Sequence, residues 1–171
     1  MPVFSESRML DLGTEVIAVR VGPEPNHTDF TIHETLIRKS SPFFEKSLGN
    51  KWRKAQERVV RLPTCSASAF SLYMQWLYTN RLHAIPKDAS GSTSELANLV
   101  PACLLGEYLQ DISFQDHVMD AIIEWKKKAK RPDCERITEI WVKIIYSQTN
   151  EISPLRLFFA NLVAWHTTHE W

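Results

Sequence analysis

The period of the hydrophobic pattern changes along this chain, and that change restricts the fold more than any other feature. Alternation of period two occurs in three short stretches before residue 63: EVIAVRV (15–21), TDFTI (28–32) and VVRL (59–62). In the first, Ile17, Val19 and Val21 share one face while Val16, Ala18 and Arg20 share the other, the pattern of a half-buried strand. In the second, Phe30 and Ile32 share a face. Gly22-Pro23-Glu24-Pro25-Asn26 between them is a dense turn signal and predicts a hairpin with a loose loop. Beyond residue 63 the apolar spacing is helical. A sheet of three short strands needs helices over it to be stable. The pattern therefore predicts an α+β fold, predominantly helical, with a small three-stranded sheet flanked by about seven helices.

Capping residues set the expected helix boundaries. A short helix over 33–39 presents Leu36 and Ile37. Ser41-Pro42 places a capping hydroxyl before a proline at the first helical position, where the missing N–H costs nothing. Phe43, Phe44 and Leu48 follow, and Gly49 is placed to end that helix in a left-handed conformation. Ser66 caps a helix over 67–78, with Phe70, Tyr73, Met74 and Leu77 at i, i+3, i+4 and i+7. His83–Thr93, with Pro86, Asp88, Ser90, Gly91 and Ser92, reads as a mobile loop. Ser92 and Glu95 form a capping box for a helix over 95–109, which Pro101 is expected to kink or divide. Ser113 and Asp116 form a similar start for 114–128, whose Val118, Ile122 and Trp125 share a face. Pro132-Asp133 marks a boundary. Ile137, Ile140, Trp141, Ile144 and Ile145 then give a helix within 134–148. Ser153-Pro154 repeats the cap-plus-proline start for a last helix with Leu155, Phe158, Phe159, Leu162 and Val163 on one face.

Composition excludes several classes of function. The 20 Lys+Arg balance 20 Asp+Glu, and no third of the chain is strongly polarised, so the clustered cations of a nucleic-acid binder are missing. Cys65, Cys103 and Cys134 are odd in number and far apart. They form no CxxC pair, which fits a reducing compartment. The start, MPVFSESRML, lacks a secretory pattern, and no apolar run approaches the roughly 20 residues that span a bilayer. The expectation is a soluble intracellular protein of the cytoplasm or nucleus, without membrane contact. None of the 5 glycines sits in a GxGxxG or GxxxxGK[ST] loop. His166 and His169 lie at i, i+3, but no Cys or acid completes a metal set. No Cys–His or Ser–His–Asp motif is recognisable. No catalysis, cofactor, metal or small-molecule substrate is expected.

Five segments carry a resemblance: V-I-A-V-R-V-G (16–22), F-T-I-H (30–33), S-S-P-F-F (40–44), V-V-R-L-P (59–63) and A-F-S-L-Y-M-Q-W-L-Y-T-N-R-L (69–82). In this order and at this spacing the chain resembles the BTB/POZ domain, in a style similar to fungal BTB proteins. The resemblance implies a BTB/POZ domain over 14–131 and a C-terminal helical extension over 132–171. It also implies an interaction module without an active site, one that self-associates as a homodimer and binds other proteins. Many members are adaptors for the cullin scaffold of a ubiquitin ligase, and others recruit corepressors. His33 matches the family's structural histidine.

The positions matching the family's binding motifs are unusual in charge. Cullin-binding members carry an apolar-x-Glu motif between the S-P-F-F helix and the next strand. Here Trp52 takes the apolar position and Lys54 stands where the acid belongs. Trp52 is an interface anchor in one reading and folds back on its own domain in the other. Corepressor-recruiting dimers pair an acid at the first strand with a base after the histidine. Those positions are Glu15 and Glu34, two acids that would repel. Met9, Leu10 and Leu12 would pack across a dimer or cover their own sheet. Lys126, Lys127, Lys128, Lys130 and Arg131 form the strongest charge run. It reads either as a nuclear-localisation signal or acidic-partner patch, or as a solvated helix end whose dipole favours cations. The expected function is protein–protein interaction through homo- or hetero-oligomers. The alternatives are a cullin-ligase substrate adaptor and a nuclear regulator using the basic run.

Overall fold

The structure, a computed structural model, describes residues 11–49, 58–82, 92–128 and 141–168. Strands β1 (Val16–Val21) and β2 (Thr28–His33) pair antiparallel, with Ile17 opposite Ile32 and Val19 opposite Phe30. Strand β3 (Val59–Leu62) pairs parallel to β1, so the sheet order is β2-β1-β3. A parallel pair needs a long crossover, and helices α1 (Glu34–Ser40) and α2 (Pro42–Ser47) lie in that connection. Ile17, Val19, Val21, Ile32, Val60 and Leu62 are all buried, whereas Val16 on the opposite face is 43% exposed. The sheet is thus one-sided, as its alternation requires.

Helix α3 (Ala67–Thr79) meets the sheet's apolar face, its Phe70 ring lying 4.9 Å from that of Phe30. Beyond it come α4 (Ser92–Leu109), α5 (Ile112–Lys128), α6 (141–148) and α7 (Pro154–Thr168). The periodicity predicts one apolar stripe on α3. The helix instead buries Ala69, Phe70, Leu72, Tyr73, Trp76 and Leu77, because it is packed on two sides. Phe70 faces the sheet, while Tyr73 and Trp76 meet Phe114 of α5 at 4.8 and 5.2 Å. One apolar cluster runs from the sheet through α3, α4 and α5 to Ile145, Leu155, Phe159 and Leu162. Gly106 sets the approach of α4 to α5: a Cβ there would sit 3.2 Å from Phe114 Cδ1 and 3.3 Å from the Gln115 Cα.

Several boundaries depart from the capping signals. Gly49 is not left-handed. Leu48 ends α2 with φ −96° and donates its N–H to the Phe44 carbonyl, so no reversed residue is needed. Ser92 and Thr93 lie inside α4 and do not precede it, while 83–91 lie outside the described residues. Pro101 does not divide α4, which continues past it with Leu99, Val100, Ala102 and Cys103 all buried around the proline. The cap of α5 is Asp111, two residues before Ser113, because the Asp111 carboxylate accepts the Phe114 N–H at 3.0 Å. On α7, Leu155, Phe159 and Leu162 are buried but Val163 is 37% exposed. The Ser41 and Ser66 caps form as their sequences predict, accepting from Phe44 and Ala69 at 3.3 and 3.4 Å. Ile137 and Ile140 lie outside the described residues.

Candidate protein-interaction site

The polar chemistry of the fold concentrates where α1, α2, α3, α4 and α5 converge. Asp111 is 2% exposed. Its Oδ2 accepts hydrogen bonds from the Tyr73 hydroxyl at 2.9 Å and from the Ser40 hydroxyl, while Oδ1 caps α5. Next to it, the buried Ser41 hydroxyl donates to the Leu109 carbonyl at 2.7 Å. A buried carboxylate is tolerated only with such a full set of donors. Burial, and then the Asp111 charge, push the Tyr73 phenol well above the usual tyrosine range. Asp111, Tyr73 and Ser40 satisfy one another, which makes the cluster a structural tie between helices.

That tie holds a recognisable surface. Ile112, the first residue of α5, stands 71% exposed beside an open groove of about 480 Å³. Lys39, Pro42, Trp76, Asn80 and Gln110 also line it. Asn80 and Gln110 end α3 and α4 in the left-handed conformation, at φ 53° and 58°. Lys46 reaches the Gln110 amide oxygen at 3.4 Å. The Trp76 indole N–H is buried and has no hydrogen-bond partner among the described residues. Ile112 is thus an exposed apolar side chain at the α4–α5 turn, with Lys39 in the same lining and Lys46 bonded to Gln110. A second groove, about 560 Å³, separates α4 from α6 and is lined by Cys65, Pro101, Leu104, Tyr108, Trp141 and Ile144. Burial raises the Cys65 thiol above its ordinary range and pushes Cys103 up to about 12. Neither is poised as a thiolate nucleophile. Among the described residues, no three His, Cys, Asp or Glu side chains gather as a metal set, and no helix is long and apolar enough to cross a membrane.

The residues singled out in the sequence fall into different settings. Glu15 and Glu34 are brought close, since the Glu34 N–H donates to the Glu15 carbonyl at 2.9 Å. Their carboxylates are nonetheless each engaged within the chain: Glu15 pairs with Arg58, and Glu34 accepts from Arg38 at 2.9 Å. Arg38 also forks onto Glu45, at 2.9 and 2.8 Å. The anticipated repulsion is thus answered by two arginines that the motif comparison leaves out. Leu12 is partly buried against the chain's own core. Lys126, Lys127 and Lys128 form the last turn of α5, with Lys127 paired to Glu124. His33 is partly buried; its backbone N–H donates to the Tyr78 hydroxyl at 3.2 Å, and its Nδ1 lies 2.7 Å from the same oxygen. Met9, Leu10, Trp52, Lys54, Lys130 and Arg131, together with His166 and His169 as side chains, lie outside the described residues.

Ile112 and Asp111 escape the sequence reading because Ser113-x-x-Asp116 offers a competing cap. The usable signal is the spacing of Asp111 to Phe114, the same three residues that separate Ser41 from Phe44.

No family model matches the chain, and no curated protein matches it. Among solved structures it is similar to the BTB domain of zebrafish PATZ1, at 15% identity and a TM-score of 0.47, over 63% of this chain and 75% of that one.

Proposed function

We propose that the chain is a protein-interaction module of BTB/POZ type that works by self-association and by binding other proteins, without catalysis. The module spans 14–131 and is followed by a helical extension over 132–171. The observation that carries this reading is one of order. The segments V-I-A-V-R-V-G, F-T-I-H, S-S-P-F-F, V-V-R-L-P and A-F-S-L-Y-M-Q-W-L-Y-T fall in turn on β1, β2, α1–α2, β3 and α3, and Ile17, Ile32, Phe44, Val60 and Phe70 from them are all buried. The exposed Ile112 beside its groove adds a surface on which a partner is recognised by apolar contact. Light scattering across a concentration series tests the self-association. A dimer mass at tens of micromolar is expected, and a monomer at the highest concentration overturns that half of the proposal.

The cullin-adaptor alternative depends on Trp52 and Lys54. With a base where the motif has an acid, weak or no capture by a cullin N-terminal domain is expected in a pull-down, and robust capture reverses the order of the two readings. Residence in the cytoplasm or the nucleus is part of the same proposal. Fusing 126–131 to a fluorescent reporter distinguishes an import signal from a solvated helix end.

A further inference from the structure

We draw no further inference here: the strongest candidate, the open groove between the C-terminal end of α3 and the α4–α5 turn beside the exposed Ile112, belongs to the candidate interface already described, and nothing among the described residues shows what covers it.

Discussion

Asp111 is a buried carboxylate that ties α1, α3 and α5 together. It replaces a water-exposed cap with a buried one, accepting from the Phe114 N–H, the Tyr73 phenol and the Ser40 hydroxyl. Removing the carboxylate loses a helix cap, a loss of about 1 kcal/mol, and leaves a buried phenol without its acceptor, a cost of about 1–3 kcal/mol. Asp111→Ala is therefore expected to destabilise the protein by about 3 kcal/mol in urea unfolding, with the slope unchanged. Asp111→Asn keeps an oxygen for the α5 cap and is expected to lose about half as much. An alanine variant within 0.5 kcal/mol of wild type, roughly the level of an ordinary surface change, contradicts the tie. Tyr73 works the same bond from the other side. With its phenol held protonated by burial and by the Asp111 charge, it acts as a donor throughout the physiological range.

At the level of elements, the crossover from β2 to β3 is stabilised by charge as well as by packing. Arg38 on α1 reaches both Glu34 on its own helix and Glu45 on α2. On the neighbouring hairpin, Arg20 on β1 bonds Asp29 at its cross-strand position through Nε and Nη2, at 2.9 and 3.0 Å. The Arg38 hydrogen bonds hold the Glu45 carboxyl below its ordinary value of 4.5. A carboxylate lowered in the folded state contributes stability that is complete above its unfolded value and is lost as pH falls through the folded value. The Arg38 contribution is thus present at neutral pH and disappears in acid. Melting temperatures of wild type and Arg38→Met, measured from pH 6 down to pH 3, are expected to differ at the upper end and to converge at the lower. A gap independent of pH removes the ion pairs from the account. These groups are exposed, so the effect is small and weakens with salt. Different ties join α7 to α4 and to α6. Ser153, at the start of α7, donates to Glu107 of α4 at 2.6 Å, and Arg156 donates to the Tyr146 and Thr149 carbonyls at the end of α6. The Arg156 bonds satisfy carbonyls at the C-terminal end of α6 that the helix itself leaves unpaired.

For the whole molecule, α6 and α7 share one core with the sheet and the preceding helices, since Ile145, Leu155, Phe159 and Leu162 belong to the same buried cluster. Truncation at residue 131 removes these four buried side chains from that cluster. The fragment is expected to melt well below the full chain, by several degrees or more, and to aggregate on heating. A fragment as stable as the full chain makes residues 132–171 dispensable for stability. Most of the architecture is legible in the sequence: the three strands, the one-sided sheet, the Ser41 and Ser66 caps and the buried faces of α1 and α2 all follow from period and capping chemistry, which act over a few residues. What the sequence leaves open depends on residues distant along the chain. Ser113 and Asp111 both suit a helix start, and only the arrival of Tyr73 and Ser40 at Asp111 selects between them. A helical period identifies one face of α3, yet packing on two sides buries a second. Glu15 and Glu34 read as a repelling pair until Arg58 and Arg38 are brought beside them. Local order is decided by steric and hydrogen-bonding preferences that each short segment carries with it. The choice of cap, the width of a buried face and the partner of a charge are decided by tertiary structure, because burial and Coulomb energy depend on which groups share a space.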